Sequence, residues 1–573
     1  MTSKTRNIIT FYVPSIAMII LMVASTCFIS HSYIDIWILP KWIIFAYGTC
    51  AMLILSSIIR IAKSKNFIIH SLNHTLIFCI GLLILIYLHI YSQSQKDVIV
   101  LFILYSFCIL CISLNEHIPI LNICSLSLII CGVISSIFAI IQIIENKEIT
   151  GCYDNVVGFT LTLALASLSL IRLLTSRYDN KSVLSIFLKV LLIFFFILLF
   201  ISKSRVALLS LGAGGIVLIN KRKKIIMSCA ILVIASISVF NLQKKESTYG
   251  RWFILNTTLS LLDSPAKIAF GYGEDGFKQN YMIRQSKKLI SESNETKQRA
   301  SNIIHPLNEF LLLTIKYGMI ALIILALILL FFFKNKHYNL YSKALVLTIV
   351  IFSLFSYPLK YPISYITIAM AVASCDKFKY RISKTKNDSL YIFRRLNAYG
   401  ASLITLSLGF ILLHVTLELD TNMKKWKSAY ENSILGNQEL ALKIYKETYY
   451  KNHSSGFIFN YASYLYNIGK YTEAEKLIKT STLKDYETAL LLGKIKKAVG
   501  SDSLAIEQFK LAHEMCPNRF IPLFEIYKIY RGNNKPMQER YATLLLSKSI
   551  KIPSTQIDEI LKTIKNDQIN NYE

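Results

Sequence analysis

Apolar stretches follow one another with only short polar breaks as far as about residue 415. Thirteen of them predict helices that cross a bilayer: 8–28, 42–59, 72–91, 98–114, 118–144, 156–171, 183–201, 206–219, 225–240, 307–333, 344–355, 363–374 and 401–415. A helix needs roughly 20 apolar residues to cross the hydrocarbon core, whereas a barrel strand needs only about ten, so runs of this length predict helices. The eleventh and twelfth are short and flank Tyr357, Pro358, Tyr361 and Pro362, so they can also form one broken hairpin. The first run is too long for a signal peptide and shows no clear small-residue cleavage pattern, so it reads as an uncleaved anchor.

The pattern changes near residue 419, where Lys, Glu, Tyr and Asn replace the apolar runs. Gly436, Gly469, Gly500 and Gly532 recur at intervals of 33, 31 and 32 residues, and Ala441, Ala474 and Ala505 each follow their glycine by five. A glycine that ends one helix, with a small residue that lets the next approach closely, predicts stacked helical hairpins. The segment around Ala462, Leu465, Gly469, Tyr471 and Ala474 resembles the tetratricopeptide pattern. The expected architecture is all-α: a polytopic membrane domain of 12 or 13 helices over 1–418, with a large loop at 241–302, then a tetratricopeptide-like repeat domain over 419–573.

Composition agrees. Of 573 residues, 54% are apolar and 17% charged, against about 45–50% and 25% in soluble domains. That excludes a soluble cytosolic enzyme, a disordered chain and a disulfide scaffold. The net charge of +29 gathers in alternate loops: Lys4 and Arg6; Arg60, Lys63 and Lys65; Arg172, Arg177 and Lys181; 221–224; Lys334 and Lys336; and 377–395. Positive loops stay cytoplasmic, which puts the N-terminus inside and, after thirteen crossings, the C-terminal domain in the periplasm. Only the short inside turn at Glu116 has no Lys or Arg. The basic balance is thus explained by membrane lipid and topology, without nucleic acid. Nine of the eleven cysteines lie in apolar runs or directly at their ends, away from which are Cys152 and Cys516, and they read as small buried hydrophobes.

Three polar clusters sit at the outer ends of the predicted spans. Ser202, Lys203, Ser204 and Arg205 form a tight outer turn. Its alternative reading is an interfacial arginine whose charge snorkels to water. The 241–302 loop holds ten Lys and Arg against six Asp and Glu, with Tyr249, Gly250, Arg251 and Trp252, then Gly271, Gly273 and Gly276 around Glu274 and Asp275. Glycines this close allow backbone amides to face an anion, although no strand–loop–helix context supports a nucleotide fold. His305, Pro306, Leu307, Asn308 and Glu309 open the tenth span. They either cap that helix or supply a general base. Two arginines and a positive loop suit a diphosphate, because guanidinium grips phosphate oxygens in bidentate fashion. With no Asp-x-Asp pair and no cluster of metal-ligand spacing, the expected chemistry is metal-free and needs no cofactor.

These features look like the O-antigen ligase superfamily, which also holds bacterial protein O-oligosaccharyltransferases and O-antigen polymerases. The resemblance lies in the topology of 1–415 and in three stretches. They are Ser204-Arg205-Val206-Ala207-Leu208; Arg251 with Gly271 to Phe277; and His305, Asn308 and Gly318. It implies transfer of a glycan en bloc from undecaprenyl diphosphate at the periplasmic face of the inner membrane, with inversion at the anomeric carbon. Arg205 and Arg251 would hold the diphosphate, and His305 would deprotonate or orient the acceptor hydroxyl. Ser204, Gly271, Gly273, Gly276, Asn308 and Glu309 would be accessory. Many relatives have histidine directly before the asparagine, where this chain has Leu307, so Glu309 and Asp275 are alternative bases.

Three acceptors are open under this resemblance: lipid A–core, a protein Ser or Thr, and another glycan. Lipid A–core is the default, and the repeat domain favours a protein acceptor or a protein partner. A non-enzymatic flippase or scaffold is the alternative from another class. A transporter should carry charge near the membrane midplane, and here Lys189 is the main charged residue inside a span.

Overall fold

The structure, a computed structural model, describes residues 12–62, 95–114, 118–176, 182–218, 245–375 and 388–570. The spans predicted at 72–91 and 225–240 lie outside the described residues. Among the described residues the chain is helical throughout, without a strand. Six helices are long and apolar enough to cross a membrane: Leu39–Ile59, Ile120–Ile144, Val156–Thr175, Val183–Ile201, Glu309–Lys334 and Ser402–Ile434. Five shorter apolar helices match predicted spans as well: Val13–Cys27, Ile99–Leu114, Arg205–Leu218, Leu340–Phe355 and Pro362–Ala373. The eleventh and twelfth runs are two separate helices, parted by a 3-10 turn at Pro358–Lys360.

The chain divides into two compact units. The first comprises Met1–Leu242, Asn308–Phe310 and Ile323–Lys427. It contains α1 (Val13–Cys27), α2 (Leu39–Ala62), α3 (Gln95–Leu114), α4 (Ile120–Ile144), α5 (Val156–Ser176), α6 (Val183–Ile201) and α7 (Arg205–Leu218). The first turn and C-terminal part of α12 (Glu309–Lys334), then α13 (Leu340–Phe355), α14 (Pro362–Ala373) and most of α15 (Asp388–Ile434) complete it. Helix α5 is the axis: every residue from Phe159 to Leu170 is buried, with α4, α6, α7 and α13 packed around it. Three of its hydroxyls are satisfied locally, Thr160 by the Val156 carbonyl, Thr162 by that of Gly158 and Ser169 by that of Leu165, so burying these three strands no donor, whereas the buried Ser167 hydroxyl has no hydrogen-bond partner among the described residues.

Polar contacts in this unit gather at two ends. At one end, Lys41 Nζ donates to the carbonyls of Phe28, Trp37 and Cys152. Lys360 pairs with Asp154, and Tyr33 and Tyr47 both donate to Asp420. At the other, Arg172 donates to the Leu121 carbonyl and Asn122, Tyr341 meets Ser169, and Ser342 meets Ser374. The two groups of loops are those that charge parity assigns to opposite sides.

The helix that holds the last predicted span, 401–415, continues beyond it: α15 runs unbroken for 47 residues, about 70 Å of helix. The Lys, Glu, Ala and Met residues past 418 are good helix formers, so the shift in composition does not stop the helix. The 241–302 segment also holds helices of its own: α8 (Lys245–Leu259), α9 (Pro265–Phe270), α10 (Gly276–Leu289) and α11 (Asn294–Arg299).

Those helices belong to the second unit, Gln243–Leu307, Leu311–Leu322 and Ser428–Glu573. With them are α16 (Gln438–Tyr449), α17 (Ser455–Asn467), α18 (Tyr471–Lys479), α19 (Tyr486–Ala498), α20 (Asp502–Met515), α21 (Ile521–Tyr530), α22 (Lys535–Leu546) and α23 (Thr555–Asn570). Gly436, Gly469, Gly500 and Gly532 each follow a helix with φ between 76° and 82°. No atom lies within 4 Å of where a Cβ would stand, so glycine is used there for the left-handed turn rather than for space. Ala441, Ala474 and Ala505 are fully buried. Helix α10 packs on α20, and Phe277, Tyr281 and Met282 share a core with Tyr486, Leu490, Phe509 and Met515. Gln285 donates to the Met515 carbonyl, Asn302 to Asp485, and the Lys484 amide to the Lys278 carbonyl.

Candidate functional site

In the first unit the site begins where α6 turns into α7. The amides of Ser202 and Lys203 close the end of α6 on the Leu198 and Phe200 carbonyls. Lys203 takes φ 51°, a left-handed position that costs a non-glycine residue roughly 1–2 kcal/mol. Ser204 Oγ then donates to Thr160 Oγ1 at 3.2 Å, tying the turn to α5. Arg205 is the first residue of α7 and is half-buried. Among the described residues its guanidinium makes no hydrogen bond or ion pair. A cation at a helix N-terminus faces the positive end of the helix dipole, and unpaired N–H groups point the same way. An anion placed there satisfies both.

Asn308 and Glu309 belong to the same end of this unit. Asn308 Nδ2 donates to the Leu354 carbonyl at 2.9 Å, and Glu309 Oε1 accepts the Leu359 amide at 3.1 Å. The next residue, Lys360, reaches Asp154 at 2.7 Å, and Tyr361 donates to that carboxylate as well. Asp154 stands about two turns before Thr160 on the chain entering α5. Ser204, Arg205, Asn308 and Glu309 are therefore brought to one end, together with Asp154, Lys360 and Tyr361. Sequence reasoning missed Asp154 and Lys360, and also Lys41, whose ammonium is fully buried on three carbonyls. The signal for Lys360 was the Tyr-Pro cluster around it.

The second unit holds the glycine loop, Arg251 and His305. Gly318 has φ 77° and ψ 179° and breaks α12. A break there removes the N–H groups that the Ile315 and Lys316 carbonyls would otherwise accept four residues on. The loop replaces them: the Tyr272 amide donates to Ile315 O at 2.8 Å and the Gly273 amide to Lys316 O at 2.9 Å. A Cβ on Gly271 would lie 2.6 Å from the Lys316 carbonyl, and one on Gly318 would lie 1.9 Å from the Ala269 oxygen. The Gly271 and Gly276 amides serve the Lys267 and Gly273 carbonyls. This corrects the expectation that these amides face an anion: those of Gly271, Tyr272, Gly273 and Gly276 are all used by backbone.

Asp275 is likewise committed. One oxygen accepts from Lys278 at 2.8 Å and the other from Thr482 at 3.0 Å, so it locks the loop to the repeat helices. Asp263 accepts from Arg284, whose guanidinium holds that carboxyl below its usual range. Arg251 lies exposed on α8, flanked by the exposed rings of Tyr249 and Trp252. His305 Nδ1 accepts the Leu307 amide at 2.9 Å, and Leu307 takes φ 58°. An accepting Nδ1 assigns the proton of the neutral ring to Nε2. In this geometry His305 presents a donor, and service as a base requires release of Nδ1.

Among the described residues no group of three His, Cys, Asp or Glu side chains is placed to hold a metal ion. Compared with known proteins, the chain matches no family model, no curated protein and no solved structure.

Proposed function

We propose that this chain is a membrane glycosyltransferase of the O-antigen ligase type. It takes a glycan from undecaprenyl diphosphate and moves it to an acceptor hydroxyl, with inversion, at the periplasmic face of a bacterial inner membrane. The N-terminus is cytoplasmic, and the C-terminal hairpins, read as tetratricopeptide-like, are periplasmic. The observation that carries this reading is Arg205, a half-buried guanidinium at the head of an apolar helix with no internal anion among the described residues. A lipid diphosphate supplies the missing charge, and Arg251 between exposed Tyr249 and Trp252 suits a headgroup at the membrane interface. Arginine would stabilise the diphosphate as it leaves, and His305 Nε2–H would orient an oxygen.

Lipid A–core remains the preferred acceptor over protein or glycan. The case for a protein acceptor rested on the repeat helices binding polypeptide, and the face of α20 toward α10 is filled by the chain's own loop.

The test is glycan transfer in membranes from a strain whose own copy is deleted, read by glycan blotting of lipopolysaccharide and of glycoproteins. Arg205→Ala is expected to lower transfer by about 10²–10³-fold at unchanged protein level, with Arg205→Lys intermediate. Full transfer by Arg205→Ala, Arg251→Ala and His305→Ala would falsify the reading. Sugar lost from glycoproteins alone would move the acceptor to protein.

A further inference from the structure

Helix α9 (Pro265–Phe270) is apolar except for Lys267, yet none of its six residues is buried. Phe270, its last residue, is 70% exposed, and Ile268 is exposed as well. We propose that this tip is inserted into the outer edge of the bilayer core, where Ile268 and Phe270 contact lipid acyl chains. A single exposed apolar residue is ordinary. What gives these two an occupant is their place on α12.

The tip is fixed to α12 at its break. A Cβ on Gly318 would meet the Ala269 oxygen at 1.9 Å and the Phe270 nitrogen at 2.4 Å, so Phe270 leaves the backbone directly beside Gly318. The Tyr272 and Gly273 amides, two and three residues on, take the Ile315 and Lys316 carbonyls. Met319 and Ile320, which follow the break, are exposed like Phe270, so the apolar surface of the tip continues into that of the helix. Helix α12 is also the least buried of the six bilayer-length helices, with only 17% of its apolar window covered by protein. Lipid accounts for that exposure, and the lipid that covers Met319 and Ile320 reaches Phe270 too.

Length sets the depth. Lys334 ends the apolar run of α12, and the hydrocarbon core takes roughly 20 residues of helix, so its outer edge falls near residue 314. Gly318 then lies about 6 Å inside that edge. Non-helical backbone is tolerated at such depth only where its polar groups are paired within the protein. The amides of the glycine loop supply that pairing, so the loop enters the membrane edge with the break it caps. Lys267, the one charge on α9, is turned back along the loop: its Nζ lies 4.1 Å from the centre of the Tyr272 ring, whose hydroxyl donates to the Leu261 carbonyl. A lysine drawn back over a tyrosine suits the membrane–water boundary. The inference rests on the reading of α12 as a membrane span under the proposed function. It gives the glycine loop, whose amides are spent on α12, a lipid contact in place of the anion contact.

The full chain is reconstituted in vesicles of phosphatidylethanolamine and phosphatidylglycerol with tritiated acyl chains. It carries p-benzoylphenylalanine in place of Phe270, of Leu327 or of Tyr450, one at a time. All three side chains are exposed, so the replacements leave the core unchanged. Leu327 stands on α12 about 14 Å past Gly318, and Tyr450 ends α16 among the repeat helices. On irradiation the benzophenone inserts into C–H bonds within its reach, and tritium retained by the protein after lipid extraction reports contact with acyl chains. The expected result is label at position 270 within about twofold of that at 327, with background at 450. Label at 327 with background at 270 overturns the inserted tip and leaves the span. Background at 327 overturns the span itself, and the inserted tip with it.

Discussion

The Tyr272 amide donates to the Ile315 carbonyl across the break that Gly318 makes in α12. Loop and helix each supply what the other lacks: the helix has carbonyls without helical donors, and the loop has amides with no sheet or helix of their own. Both sides need glycine, since a Cβ at 318 meets the Ala269 oxygen at 1.9 Å. Gly318→Ala is therefore expected to expel the loop and to open protease cleavage between α9 and α10. Transfer should fall with it. Protection of that segment equal to wild type would show that the contact is dispensable.

The loop is anchored a second time, by Phe277 and Tyr281, whose stacked rings lie 4.7 Å apart in the core shared with α19 to α21. Truncating a buried Phe to Ala costs about 3–5 kcal/mol. Phe277→Ala should raise hydrogen exchange in both α10 and α20, because each covers the other. A rise confined to α10 would mean that the repeat helices stand without it.

Much of this fold is legible in the sequence because bilayer-length apolar runs and an in-phase Gly–Ala spacing are local signals. Gly436, Gly469, Gly500 and Gly532 announce their turns through backbone conformation alone. The site is less legible. Gly271 and Gly273 read equally well as an anion cradle or as a close backbone contact, and only the partner at Ile315 and Lys316 decides between them. Asp275 reads as a possible base until Thr482, some 207 residues away, accounts for its second oxygen. Lys41 stands just before an apolar run, and nothing local tells that the Phe28 and Cys152 carbonyls will join that of Trp37 on it. The length of the last helix was not legible because charge marks where an apolar run ends and not where a helix does.

His305 can be assigned by comparing two replacements. Glutamine keeps an N–H donor but cannot take a proton at neutral pH, whereas alanine removes both functions. If the ring acts through its Nε2 donor, His305→Gln keeps transfer within about tenfold of wild type while His305→Ala loses about 10²-fold. Equal loss in both, with the acidic limb gone from the pH–rate profile, would instead assign it as the base.

His513 offers a pH test of the second unit that is independent of any substrate. It lies in α20, its Nδ1 has no hydrogen-bond partner, and burial with the nearby Lys548 charge lowers its pKa from 6.5 to about 4. Above pH 6.5 the ring is neutral in the folded and unfolded chain alike, so it contributes no pH dependence. Below that the unfolded chain takes up the proton first, and stability is lost as pH falls from about 6.5 toward 4. The loss approaches about 3 kcal/mol at the lower end, taking 1.36 kcal/mol per pKa unit. Hydrogen exchange of α19 and α20 in the full chain, followed from pH 7 to 4.5 and corrected for intrinsic rates, should show falling protection that His513→Gln flattens. An unchanged slope in that variant would place the acid sensitivity elsewhere.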